Sequence, residues 1–185
     1  MSTSQIDLVI NTGPIIALAA GISQPDVVLR HFRRVLVPRE VAQEIRAGGI
    51  GAYGGNILDF GGPIEIRSRD ANIRKDLILA LDRGEASVIQ TALDAQITLV
   101  CIDEAIGRRV ARLNGLSVTG SLGLIIHAIH RGEAIDISSS IIRCARTESG
   151  SVSSWRGRRS NSHKGRPRVT VVLGEDFLCV TIQRH

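Results

Sequence analysis

Leu99-Val100-Cys101-Ile102-Asp103-Glu104 is the stretch whose reading decides the fold. Four apolar residues suited to a buried strand run directly into two adjacent carboxylates. A helical pattern then begins at once, with Ala105, Ile106, Val110 and Leu113 at apolar spacing and Arg108, Arg109 and Arg112 between them. A short apolar strand handing over to an amphipathic helix is the unit of an open α/β sheet. Such sheets place their ligands beyond the carboxyl ends of the strands, where Asp103 and Glu104 fall.

The same unit recurs on both sides. Ile6–Ile10 is predicted as a first strand, and Asn11 or Thr12 as the cap of a helix with Pro14 in its first turn. Gly21 stops that helix, and Pro25 starts another through Phe32. Val35–Val37 is a strand followed by a helix from Pro38 to Ala47. Ile64–Ile66 is a brief strand and Ile73–Leu81 a helix. Asp82-Arg83-Gly84 reads as a turn before a helix from Glu85 to Asp94. After the central strand and its helix, Leu116–Val118 is a strand, Leu122–His130 a helix, and Ile135–Ala145 a last helix. Alternating strands and helices predict parallel pairing with right-handed crossovers. The apolar residues are mostly Ile, Leu, Val and Ala, as in sheets buried on both faces.

The chain has 185 residues, of which 43% are hydrophobic and only 3% aromatic. That is one domain of roughly 145 residues with an appendage. No apolar run is long enough for a membrane span. The start carries no basic leader. The three cysteines, Cys101, Cys144 and Cys179, form no CxxC pair, and a cytoplasmic location is expected. The net charge of +5 is unevenly spread. Nine Arg or Lys face three acids from residue 143 onward, a net +6, while residues 1–142 hold 14 against 15, a net −1. A basic tail on a near-neutral body suits a polyanion such as nucleic acid, and equally a solvated extension. Residues 147–168 are rich in Ser, Gly and Arg, a composition expected to be disordered. Val169–Leu173 and Phe177–Ile182 are expected to form a terminal hairpin. The stretch 48–62 holds seven glycines without a following GK[ST]. It is a flexible connector or a lid, not a phosphate loop.

Glu44, Glu85, Asp103 and Glu104 all fall near starts or ends of elements. Converging at one sheet edge, three or four oxygen ligands would suit a hard cation, Mg²⁺ or Mn²⁺, and phosphodiester hydrolysis. Each acid also has a plainer reading. Glu85 can complement a helix N-terminus, Asp103 can cap the following helix, and Glu44 can be a solvated helix position. Arg108, Arg109 and Arg112 can line a nucleic-acid path or be surface charges. His127 and His130 have no further His or Cys at metal-site spacing.

The blocks Leu8–Leu18, Val37–Ile45, Leu81–Ile89, Leu99–Glu104 with Gly107–Ala111, and Leu116–Gly123 resemble a PIN domain in order and spacing, over residues 6–145. The likeness is strongest to prokaryotic PIN-like proteins with (D/N)TxPLI and DxGEA motifs, relatives of toxin ribonucleases. It implies a Rossmann-like α/β/α sandwich around a mostly parallel sheet, cutting RNA with Mg²⁺ or Mn²⁺. It also implies an antitoxin protein and a homodimer as partners. The family's acids fall on Asn11, Glu44, Glu85 and Asp103, with Glu104 as an added acid and Thr12 as the hydroxyl residue after the first position. Asn11 departs from the pattern by one charge, which predicts weaker metal binding and leaves a non-catalytic binding module as the alternative. Asp7 lies at the other end of the first strand and does not replace it. Residues 146–185 match nothing in the family.

Overall fold

The computed structural model describes residues 6–47, 58, 61–135, and the strands 168–173 and 178–183. The order is β1 (Asp7–Ile10), α1 (Thr12–Gly21), α2 (Asp26–Leu29), β2 (Arg34–Val37), α3 (Arg39–Ala47), β3 (Ile64–Ile66), α4 (Lys75–Ala80), α5 (Arg83–Asp94), β4 (Leu99–Cys101), α6 (Ala105–Leu113), β5 (Ser117–Thr119) and α7 (Ser121–His130). The expected last helix, most of the glycine-rich stretch 48–62 and the Ser/Gly/Arg-rich stretch lie outside the described residues. Two further strands, β6 (Arg168–Leu173) and β7 (Leu178–Gln183), pair antiparallel, with Val171 opposite Val180.

The body is a five-stranded sheet in the order β3-β2-β1-β4-β5, parallel throughout. Right-handed crossovers group α1, α2 and α7 on one face and α4, α5 and α6 on the other, with α3 packed against both α1 and α5. This is the three-layer α/β/α sandwich that the resemblance implies. The chain leaves β1 toward β2 on one side and β4 toward β5 on the other. The crevice where the direction switches therefore lies between β1 and β4. Their register matches Ile10 to Cys101, and the Asn11 N–H continues the ladder to the Cys101 carbonyl at 3.0 Å.

Both faces of the central strands are covered, so Leu8, Val9, Ile10, Val100, Cys101 and Ile102 are fully buried, as are Leu36 and Ile89. Truncating one of the large members to Ala would cost about 2–5 kcal/mol. Gly115, at φ +78°, closes α6 in the left-handed region that the residue after a helix end requires. At the far end of β1, Asp7 takes paired hydrogen bonds from Arg33 and one from Arg34. The Arg33 bonds above all hold its carboxyl below the usual range, and it takes no part in the opposite edge.

Several expected boundaries move. The helix begun at Pro25 is only one turn, Asp26–Leu29. Its apolar residues continue inward, with Phe32 5% exposed, although the backbone is no longer helical. Asp82-Arg83-Gly84 is not a turn before α5 but its N-cap and first turn. The Asp82 carboxylate accepts from the Glu85 N–H at 2.8 Å, so the D-x-x-E spacing acts as a cap. Among the described residues no helix is long and apolar enough to cross a membrane.

Candidate functional site

The carboxyl ends of β1 and β4 deliver Asn11 and Asp103 to the two sides of the crevice, and the first turn of α5 and the N-cap of α6 deliver Glu85 and Glu104. Glu44 comes from the last turn of α3, where the Thr12 hydroxyl donates to its Oε2 at 2.6 Å. The sheet thus brings Asn11, Thr12, Glu44, Glu85, Asp103 and Glu104 to one edge.

Glycines make room for these acids. A Cβ on Gly84 would stand 2.8 Å from Glu44 Oε2, 3.4 Å from Asp82 Oδ1 and 3.5 Å from Asn11 Oδ1. A Cβ on Gly13 would stand 3.3 Å from Glu104 Oε1, and one on Gly120 would stand 2.7 Å from Asp103 Oδ1. A Cβ on Gly107 would collide with Glu85 Oε1. Asp82 and this set of glycines escaped the sequence reading. The signal that would have found them is a glycine beside each strand end or in the helix turn that faces an acid.

Among the described residues, two oxygens at the site are buried without a partner, Asn11 Oδ1 and Glu85 Oε1. Their residues are 4% and 5% exposed. Burial, then the charges of Asp82, Glu104 and Glu44, push the Glu85 carboxyl up to about 7. Glu44 and Glu104 are exposed at the rim. Asp103 is half-buried, and its Oδ1 accepts from the Ser121 N–H at 2.9 Å. It therefore caps α7, whereas Glu104 stands at the N-cap of α6 without a side-chain cap bond. Arg108 donates to the Ile102 carbonyl at 2.9 Å and braces the β4–α6 turn, while Arg109 and Arg112 are exposed. His127 is half-buried against Phe32, with ring centroids 5.5 Å apart, and His130 is exposed.

The donor set is all oxygen, which by type suits Mg²⁺ or Mn²⁺. The two orphaned oxygens and the crowding of like charge around Glu85 are features a divalent cation would satisfy. Among the described residues no three His, Cys, Asp or Glu side chains are grouped as a ready-made cation cage. By residue type the set fits the ion, with Asn11 supplying a neutral oxygen where a further charge would bind more strongly.

A family model described as PIN domain matches residues 7–147. Among solved structures, a PilT N-terminus domain protein, SSO1118, from the hyperthermophilic archaeon Sulfolobus solfataricus P2 is similar at 14% identity. The alignment covers 66% of this chain and 93% of that one, with a TM-score of 0.43. No curated protein matches the sequence.

Proposed function

The chain belongs to the PIN-domain family, and on that premise we propose that it is a metal-dependent endonuclease of single-stranded RNA, neutralised as a toxin would be by a small antitoxin protein. PIN domains are nuclease-type modules that bind nucleic acid and generally depend on a divalent metal. The observation that carries the reading is the pair of buried, unpartnered oxygens, Asn11 Oδ1 and Glu85 Oε1, beside the switch-point crevice.

Glu44, Glu85, Glu104 and the Asn11 amide oxygen are the groups that would hold Mg²⁺ or Mn²⁺, with Asp103 contributing from the cap of α7. A divalent cation bound by these groups would supply charge stabilisation for a phosphate and lower the pKa of a bound water. Thr12 orients Glu44 through its hydroxyl. Glu85, whose carboxyl stands at about 7 in the metal-free site, would give up its proton on binding the cation. Arg109 and Arg112, exposed on α6, are placed to meet phosphates, whereas Arg108 acts through the turn it braces.

The test is cleavage of single-stranded RNA by the full chain with Mn²⁺ or Mg²⁺ and with EDTA. Metal-dependent cleavage that disappears in Glu85→Gln is the expected result. Cleavage in EDTA, or none with either metal, overturns the reading. Asn11 supports a second reading, a PIN-fold module that binds RNA through its arginine-rich tail without cutting it. Salt-sensitive binding that survives Glu85→Gln, with no cleavage under either metal, would select it.

A homodimer is the proposed assembly. Among the described residues, Ile78, Leu79, Ile106 and Leu113 are large apolar side chains 56–88% exposed. They lie on α4 and α6, which Arg74 joins by a 2.7 Å hydrogen bond to Asn114.

A further inference from the structure

Beside the crevice, a cavity of about 300 Å³ is lined by Glu40, Gln43, Glu44, Asp82, Arg83 and Gly84. It shares Glu44 with the site and opens along α3 toward Glu40. Glu40 and Glu44 are one helical turn apart, roughly 6 Å along the axis, and so lie on the same face of α3. The sequence places Glu40 on an outward face, yet it is only 5% exposed.

Its two oxygens differ. Oε1 accepts from the Ala71 N–H at 2.7 Å, and Oε2 has no partner among the described residues. The other two carboxylates of the cavity are engaged, Glu44 Oε2 by the Thr12 hydroxyl and Asp82 Oδ1 by the Glu85 N–H. A nine-tenths-buried carboxylate with one oxygen left over is a group awaiting a hydrogen-bond donor.

We propose that this cavity is a base-recognition subsite, in which Glu40 Oε2 accepts from the exocyclic amino group of a nucleobase in the bound RNA. This rests on the RNA reading of the adjacent site. The cavity is large enough for one base. The single turn between Glu44 and Glu40 is comparable to the reach from a nucleotide's phosphate to its base edge. A phosphate at the crevice would therefore put its own or a neighbouring base within reach of Glu40. The lining excludes phosphate itself, because three acids face one Arg. The chemistry then sorts the bases. Cytosine, adenine and guanine each present an exocyclic amino donor to a carboxylate oxygen, whereas uracil's one edge donor is the ring N3–H, flanked on both sides by carbonyl oxygens that an acceptor repels. Arg83 is 71% exposed in its side chain and bonded only loosely to Asp70, at 3.3 Å, so it is free to turn toward a flanking phosphate.

The experiment is equilibrium binding of the full chain to labelled ten-nucleotide oligo(C), oligo(A) and oligo(U). It is run in EDTA at one salt concentration, so that nothing is cut. Oligo(C) and oligo(A) are expected to bind about tenfold more tightly than oligo(U). Glu40→Gln keeps an oxygen for the Ala71 N–H and turns the other position into a donor. It should remove or invert that preference while the unfolding midpoint stays put. Equal affinity of the wild-type chain for all three overturns the subsite, and that comparison needs no variant to fold. Discrimination unchanged in Glu40→Gln also overturns it, because Glu40 is then not the reader. Cleavage or binding without base preference defeats the subsite alone. The absence of both binding and cleavage defeats the RNA reading and this inference with it.

Discussion

Asp103 Oδ1 accepts the Ser121 N–H at 2.9 Å, so the acid that ends β4 also closes the N-terminus of α7. Gly120 permits the approach, since a Cβ there would stand 2.7 Å from the same oxygen and 3.0 Å from Arg108 Nη1. Asp103 thus has a structural role that does not depend on chemistry, and its substitutions separate the two. An amide oxygen accepts from an N–H as well as a carboxylate does. Asp103→Asn should therefore unfold in urea within about 0.5 kcal/mol of wild type while losing metal-dependent cleavage. Asp103→Ala should lose cleavage and about 1 kcal/mol of stability as well. An Asn variant that cuts normally would leave Asp103 as a cap alone.

The parallel sheet was legible in the sequence, because Leu8–Ile10, Val35–Val37 and Leu99–Cys101 are unbroken apolar runs that suit a sheet covered on both faces. The site was legible one residue at a time. Asp103 could be placed at a strand end, but its cap partner Ser121 is 18 residues away, and no local spacing reveals a bond of that kind. Glu40 carries no local sign of burial, because Gln43 and Glu44, the next residues along its face of α3, are polar and exposed. What buries it is the segment around Ala71, whose approach depends on the crossover after β3. Asp82 was misread because Asp-Arg-Gly is turn chemistry as much as cap chemistry, and only the Glu three residues on distinguishes them.

Glu85 predicts a pH dependence with a definite sign. Its folded carboxyl is raised to about 7, above the ordinary value of 4.5, so the folded state binds the proton more tightly than the unfolded state. The stabilisation is complete below about 4.5 and is lost as pH rises through 7, up to about 3 kcal/mol in all. In EDTA, Glu85→Gln, which mimics the neutral form, should match wild type at pH 5 and exceed it at pH 8. Parallel stability curves from pH 5 to 8 would show that Glu85 is not held protonated.

Gly107 and Gly84 should respond oppositely to Ala. A methyl on Gly107 meets the buried Glu85 carboxylate and, at 2.9 Å, Ile102 Cγ2, neither of which can move away. Gly107→Ala is expected to cost about 1–3 kcal/mol despite its gain in helix propensity. On Gly84 the nearest atom is Oε2 of Glu44, the far end of an exposed, flexible side chain. Gly84→Ala should be neutral or gain up to about 1 kcal/mol, at the expense of the Thr12–Glu44 bond. Chemical denaturation of both variants checks the contrast.

Leu79 and Leu113 test the assembly. Leu79 is 88% exposed and Leu113 76%, on α4 and α6, whose ends Arg74 and Asn114 tie together. If two copies bury this surface, sedimentation of the wild-type chain at micromolar concentration gives a dimer. Leu79→Glu or Leu113→Glu should give a monomer with unchanged helix content. A wild-type monomer at that concentration removes the homodimer.

Asn11 carries the last prediction. Its Oδ1 is buried, unpartnered and 3.5 Å from where a Cβ on Gly84 would stand, beside Glu44 and close to the switch point. Asn11→Asp adds a charge there with almost no change in shape. Without metal, the added carboxylate is one more buried acid near Glu85, which Asp82, Glu104 and Glu44 already push up. The variant should therefore melt below wild type in EDTA, by the equivalent of about 1–3 kcal/mol. With Mn²⁺ the order should reverse, because a charged oxygen binds the cation more tightly than an amide and binding to the folded state alone adds stability. RNA cleavage should rise in step, by about tenfold or more. A variant less stable in EDTA and no better with Mn²⁺ would mean that Asn11 does not face a metal position, and that the orphaned oxygen serves the fold rather than the chemistry.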